Sequence, residues 1–325
     1  MLDTKLLDGA QESDIETAEA LLRSGKLVAV PTETVYGLAA DASNVDAVQA
    51  IYQAKQRPND HPLIVHIAAI DDMAKWAIEI PDEAYALAKQ YWPGPLTLLL
   101  KKSPAMNHTV TGGKETIALR MPAHPQLLKL LKKNQLAVAA PSANLYGQLS
   151  PTTAQQVMAT MSGKIDAVLD GGQCDIGLES TIVDVTSTPV RILRNGPITA
   201  SDIKNNCQID VLNPGTHSVS VPGNVEAHYQ PHAELLLLDT ETIVSRLAET
   251  DNSIAFVLYN SELAPDRELR CRHLPSDKAS YARQLYKTLY ELDTPEINTI
   301  LVEAPPVDEN WLDVNERLQK AASKR

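Results

Sequence analysis

Lys55 and Arg57 stand two residues apart in KQRPNDHPLIVH, a segment that also carries His61, His66 and two prolines. Two cations on a loop stiffened by Pro58 and Pro62 can hold an anion, and the arginine adds a planar fork that matches carboxylate or phosphate oxygens. A second set of residues is small and polar. Thr32 and Thr34 follow an apolar run in VAVPTET, Ser142 and Asn144 follow another in VAAPSAN, Ser150 precedes Pro151, and Ser180 lies in GLESTIVD. Side chains this short can hydrogen-bond a phosphate or adenylate oxygen without filling the space it needs. Two further arginines, Arg120 and Arg194, end the apolar runs TIALR and VRILR. Taken one at a time, these residues have ordinary structural readings. A Thr or Ser caps a helix or closes a turn, Lys55 and Arg57 form a solvated helix end, and PSAN is a capping turn. Together, each beside an apolar run, they point to one polar pocket at strand ends.

Hydrophobic periodicity gives the elements that must carry these groups. Residues 27–30 read as a buried strand stopped by Pro31. Residues 45–55 place Val45, Val48, Ile51 and Tyr52 at helical spacing, and residues 63–67 form a second strand that carries His66. Residues 14–24 read as an amphipathic helix with Gly25 just past its end. Helices are also expected over 70–77, 81–91, 125–133 and 154–161, the last opened by Ser150-Pro151-Thr152-Thr153. Strands are expected over 96–100, 116–121, 136–140, 167–169, 181–185 and 190–193. Trp92-Pro93-Gly94-Pro95 is a rigid turn. The glycines of Gly112-Gly113-Lys114 resemble part of a phosphate loop, but the GxxxxGK spacing is absent, so no phosphate role of that type is assigned. The alternation predicts an open, twisted mixed α/β sheet.

Composition sets the bounds. The chain has 325 residues, 44% of them hydrophobic and 22% charged, which is an ordinary globular balance long enough for two domains. With one Phe, three Trp and ten Tyr, the cores must be aliphatic. The net charge of −12 divides into −5 over residues 1–210 and −7 over 211–325, so neither part reads as a stable nucleic-acid clamp. A concave, partly dry pocket still strengthens a few cations well beyond their effect at the surface. No apolar run is long enough for a membrane helix, residues 1–10 lack the pattern of a secretory signal, and a cytoplasmic location is expected. Cys174, Cys207 and Cys271 are unpaired in number and far apart, and read as free thiols rather than a disulfide or zinc framework.

Residues 209–233 turn rich in Asn, Pro, Gly, His and Ser and read as a linker. Beyond it, apolar strands over 235–238, 253–259 and 300–302 alternate with helices over 242–249, 279–292 and 311–323, which predicts a small α/β domain with a parallel sheet over 234–325. His228 and His232 are four apart, but Pro231 between them defeats a helical metal pair.

The motifs PTETVYGL, KQRPNDHPLIVH, WPGPLT, ALRMPAHP, PSAN, GLESTIVD and RNGPI resemble those of the YrdC-like threonylcarbamoyl-AMP synthases in their long, two-domain form. The resemblance implies a YrdC-like catalytic domain over 1–208, a linker over 209–233 that folds over the active site through HYQP, and a Rossmann-like C-terminal domain. It implies condensation of L-threonine, bicarbonate and ATP to threonylcarbamoyl-adenylate with release of pyrophosphate, for transfer by downstream proteins to tRNA beside the anticodon. Carried over residue by residue, Thr34, His66, Arg120, Ala140 and Ser180 match the threonine-binding positions. Arg57, His61, Thr116, Ser142, Ser150 and Arg194 match nucleotide-binding positions, and Tyr229 in the HYQP segment of the linker is the candidate for a further nucleotide contact. Lys55, Arg57, Ser142 and Asn144 match the paired KxR and SxN motifs. Cations on the triphosphate and in-line positioning suit this chemistry, with Lys55, Arg57 and Arg194 as the available cations and Arg120 as partner for the threonine carboxylate. No acidic residue in the motifs is an evident metal ligand, so Mg2+ is expected to arrive with ATP.

Two other readings compete. A YrdC-like fold with a positive hollow can act as a non-catalytic RNA-binding module, against which stand the acidic total and the lack of stacking aromatics beside Lys and Arg. Carbamoyl transfer, as in hydrogenase-maturation proteins with a similar domain, calls for zinc-finger-like cysteine pairs that the sequence lacks.

Overall fold

The structure, a computed structural model, describes residues 2–133, 135–215, 217–223, 227–249, 253–259, 262–263 and 270–323. Internal contacts divide the chain into two units. The first comprises Met1–Tyr146, Pro151–Asp175 and Glu179–Asn224, and the second Gly147–Ser150, Ile176–Leu178 and Val225–Arg325.

The first unit begins with β1 (Lys5–Asp8), α1 (Glu12–Arg23), β2 (Val28–Val30), β3 (Gly37–Asp41), α2 (Val45–Lys55) and β4 (Ile64–His66). A 3-10 turn, Ile70–Asp72, leads to α3 (Met73–Trp76), β5 (Ala77–Ile78), α4 (Asp82–Tyr91), β6 (Leu96–Lys102), β7 (Thr116–Arg120) and α5 (Pro125–Lys133). Then come β8 (Val138–Ala139), α6 (Ala154–Met161), β9 (Ala167–Asp170), β10 (Thr181–Asp184), β11 (Val190–Arg194), α7 (Ala200–Cys207) and β12 (Val211–Leu212). The strands form one mixed sheet in the order β1-β9-β2-β3-β8-β4-β7-β6-β10-β11-β12, with β5 added to β6. Thus the open mixed α/β sheet expected from the sequence is present.

Local signals explain how the site-bearing segments are set. Asn44 caps α2 by accepting from the Ala47 amide, and Gln56 ends it in the left-handed conformation at φ 54°. The Arg57 amide then bonds back to the Tyr52 carbonyl, which turns the KxR segment off the helix end. Side chains alternate across each strand. Val65, Leu98, Leu119 and Val183 enter the larger core, whereas Ile64, Leu99, Ala118 and Ile182 cluster on the other face with Leu193 and Val221. Each fully buried Leu or Val contributes roughly 1.5–3 kcal/mol, so the four central strands form a rigid platform.

The helix expected over 70–77 is instead a 3-10 turn and a single α turn, because Ala77 and Ile78 leave it to pair antiparallel with Lys102 and Lys101. Only Val138–Ala139 of the run 136–140 is paired as a strand.

The second unit contains β13 (Glu234–Leu238), α8 (Thr240–Glu249), β14 (Ile254–Leu258), β15 (Arg270–His273), α9 (Lys278–Leu292), β16 (Thr299–Glu303), a 3-10 turn Glu309–Trp311 and α10 (Leu312–Ala322). Its sheet runs β13-β16-β14-β15 with every pair parallel, as the strand and helix alternation predicted. Ile243, Phe256, Leu258 and Leu301 form a core here. Glu303, buried at the end of β16, accepts from the Thr240 hydroxyl and the Tyr259 amide, both at 2.8 Å.

Candidate active site

Four strand positions place polar groups in a row on the face opposite the larger core. His66 pairs in register with Arg120, and both are two residues beyond the partners Ile64 and Ala118 of that face. Leu119 pairs with Leu98, next to Thr97, and β6 runs parallel to β10, which Ser180 precedes. The Thr97 and Ser180 hydroxyls are 2.7 Å apart. Arg194, at the end of β11, closes the row: its Nη2 donates to Ser180 Oγ and its Nε to the Ser180 carbonyl, both at 3.0 Å, while Nη1 donates to Pro222. Glycine is required beside it. A Cβ on Gly196 would lie 2.3 Å from the Thr181 amide nitrogen, so only Gly lets the RNGPI loop reach the strand.

The loop between β2 and β3 supplies Thr34 to this row. Arg120 donates from Nη1 to Thr34 Oγ1 at 2.9 Å, from Nε to the Gly94 carbonyl at 3.1 Å and from Nη2 to Glu33 Oε1 at 2.6 Å. Arg120 and Glu33 are both buried, so the guanidinium has a counter-charge inside the protein. Ala140 is held between β4 and β3: its amide bonds to the Ile64 carbonyl, and its Cβ would be only 3.1 Å from a Cβ on Gly37.

A second group forms around Lys55. Its Nζ donates to the carbonyls of Ser142 and Asn144, both at 2.5 Å, and the side chain is 1% exposed. The cation expected to meet phosphate thus reaches the SxN loop through its backbone. Ser142 also bridges to Gly37, which fixes this loop against β3. Arg57 Nη2 donates to the Pro62 carbonyl at 3.0 Å, and its guanidinium lies 5.7 Å from the Tyr146 ring centre. The Tyr146 hydroxyl is 3.1 Å from His61 Nδ1. Tyr52 ties this group to the next loop by donating to the carbonyls of His61 and Thr109. Thr116 opens β7 and is half-buried.

The other two expected positions belong to the second unit. Ser150 is fully buried. Tyr229 is buried with a left-handed backbone at φ 60°, stacks on Tyr286 at 6.0 Å and has the Arg317 guanidinium 5.2 Å from its ring centre.

Burial governs the titration of these groups. It holds the Lys55 ammonium well below its usual range, with the Arg57 charge adding to the effect. The His66 imidazole is likewise held far below the usual histidine range, first by burial and then by Arg120, against a weaker opposite pull from the backbone of Ile64. No hydrogen bond of normal geometry reaches either ring nitrogen of His66 from the described residues. A neutral ring with open donor and acceptor sites, beside an arginine, suits a small polar ligand. His61 is lowered by burial, Arg57 and Lys114, with Asp60 opposing.

A pH dependence follows. Unfolded histidine titrates near about 6.5, so above that pH the His66 contribution is intact. Below it the unfolded chain takes a proton that the folded site refuses, and stability falls as pH drops. Thermal melts from pH 7.5 to 5 should show the wild type losing up to about 1.4 kcal/mol per pH unit more than His66→Phe; parallel curves would contradict the neutral, buried ring.

Sequence reasoning missed Glu33 and Thr97. The signal for Glu33 was an acidic residue inside the otherwise apolar and hydroxylic run VAVPTETVYGL. Thr97 carried no separate signal in PLTLLL.

The Sua5/YciO/YrdC family model, described as "Telomere recombination", matches residues 20–196, and the model of the threonylcarbamoyl-AMP synthase C-terminal domain matches residues 198–323. Threonylcarbamoyl-AMP synthase of Pyrococcus abyssi is 38% identical, over 97% of this chain and 96% of its own length. The protein of the same name from Bacillus subtilis is also 38% identical, over 97% and 94%. A crystal structure of P. abyssi Sua5 complexed with L-threonine superposes with a TM-score of 0.89 at 37% identity, covering 98% of this chain and 97% of the other.

Proposed function

The chain belongs to the Sua5/YciO/YrdC family with the threonylcarbamoyl-AMP synthase C-terminal domain, and from this we propose that it condenses L-threonine, bicarbonate and MgATP into L-threonylcarbamoyl-adenylate. In the first step the threonine amine and bicarbonate give a carbamate and water. A carbamate oxygen then attacks the α-phosphorus of ATP and pyrophosphate leaves with the electrons of the broken P–O bond, which makes the enzyme a nucleotidyltransferase. The product is a mixed anhydride and must be consumed by a transferase that delivers the threonylcarbamoyl group to the adenosine beside the anticodon of tRNA.

The observation that carries this reading is the row of His66, Arg120 and Ser180 with Thr34 laid against it. L-Threonine is bound in the P. abyssi structure, and these groups suit an amino acid: Arg120 keeps unused N–H donors for a carboxylate, while the neutral His66, Thr34 and Ser180 meet its polar end, beside Ala140. Arg57, His61, Thr116, Ser142 and Arg194 are the proposed nucleotide contacts of the first unit, and Ser150 and Tyr229 of the second are proposed for that role from the resemblance alone. Lys55 with Asn144 holds the SxN loop so that Ser142 faces the phosphates.

Among the described residues no group of three or more His, Cys, Asp or Glu side chains is placed to hold a metal ion, and Mg2+ is written here as part of the nucleotide substrate. Among the same residues no helix is long and apolar enough to cross a membrane, and the cytoplasm, where tRNA is modified, is the proposed location. Curated relatives named as synthases along the whole chain favour the enzyme over a non-catalytic RNA-binding module.

Mass spectrometry of reactions containing 13C-bicarbonate, L-threonine and MgATP tests this proposal. An AMP adduct of threonine that carries one 13C is the expected product; AMP and pyrophosphate without labelled adduct would overturn it.

A further inference from the structure

Glu33 is given no ligand contact above, yet it binds the arginine of the row at the end of β7. Its Oε1 accepts from Arg120 Nη2 at 2.6 Å and its Oε2 from the Ala123 amide at 3.0 Å, so the carboxylate clasps the end of β7 and the segment after it. Arg120 is thereby held at all three nitrogens, with one N–H left on each terminal nitrogen.

Beyond Arg120 two threonine hydroxyls hold each other in place. Thr32 Oγ1 lies 2.7 Å from the Val35 carbonyl, which only accepts, so the single Thr32 hydroxyl proton points there. Thr32 Oγ1 and Thr34 Oγ1 are 2.8 Å apart, and Thr32 Oγ1 also accepts from the Thr34 amide at 3.0 Å and the Val35 amide at 3.1 Å. Arg120 Nη1 donates into Thr34 Oγ1 from the other side. Arg120 and Thr32 together hold the Thr34 hydroxyl beside the guanidinium.

We propose that Glu33 is a positioning residue that, by orienting Arg120 against Thr34, aims the remaining N–H donors of Arg120 at the carboxylate of the bound amino acid. This rests on the threonine site proposed above and deepens it. The subsite takes an α-amino acid or its carbamate, with its carboxylate on Arg120. Gln in place of Glu33 keeps the size, but its one oxygen serves Arg120 or Ala123 and its amino group faces the other donor.

Calorimetric titration of the full-length protein with L-threonine and, separately, with MgATP tests the assignment. Glu33→Gln should raise the threonine Kd about tenfold or more and leave the MgATP Kd within about twofold. In an Arg120→Gln background the same change should add nothing further, because Glu33 acts through Arg120. Thr34→Val should weaken threonine binding as strongly, and Thr34→Ser should preserve it, which keeps the proposal open to refutation if Glu33→Gln does not fold. Wild-type threonine affinity in Glu33→Gln or Thr34→Val, an equal loss for both ligands, or a full additional loss in the Arg120→Gln background would each overturn it. A wild-type protein that binds no threonine would instead overturn the functional proposal on which it rests.

Discussion

Lys55→Met should cut the rate of pyrophosphate release by about a hundredfold or more while leaving the chain folded, since a displacement of about 1 Å at a catalytic group is enough for such a loss. Methionine keeps most of the apolar stem but removes the ammonium that ties the carbonyls of Ser142 and Asn144. Two buried acceptors then lack their donor, at a cost of about 1–3 kcal/mol each. The loop responds by moving, and Ser142 loses its place against Gly37. Steady-state assays with thermal melts check this. A Lys55→Met enzyme within threefold of wild type would show that the clamp is dispensable.

Arg120→Lys should be the more selective lesion. One ammonium cannot reproduce the planar fork that meets Glu33, Thr34 and Gly94 together. The expected result is a threonine KM raised about a hundredfold with the ATP KM little changed, given that losing a charge-assisted pair in a dry site costs about 2–5 kcal/mol. Arg120→Ala should go further and lower the stability of the folded chain by about 3–5 kcal/mol, because it orphans the Glu33 carboxylate. Equal effects of Arg120→Lys on both KM values would contradict a threonine-specific role.

Much of this site could be read from the sequence because its polar residues follow apolar runs that stop at prolines. VAVP, VAAP and LRMP mark where strands hand over to loops, and Thr34, Ser142 and Arg120 follow or sit within those marks. What could not be read was which atom each residue uses. Lys55 acts on backbone carbonyls, which leave no side-chain signature, and Glu33 was overlooked among hydroxyls although it is the counter-charge of Arg120. Elements were missed where their signal is weak. Strand β3 is GLAAD, with no β-branched residue, and β1 buries only Leu7 of its Leu residues. Helix α7 did carry a signal, since Thr199 and Asp202 form a capping box.

In the proposed function one polar row binds threonine and delivers its carbamate to ATP. This is tested most directly by pyrophosphate release from MgATP with L-threonine and bicarbonate each omitted in turn, and with L-serine in place of L-threonine as a control. Release that needs both threonine and bicarbonate, and that Arg57→Ala abolishes in a folded protein, is the predicted result. Release independent of either one, or none with all three present while RNA binds with a salt dependence that tracks Lys55 and Arg57, would contradict it.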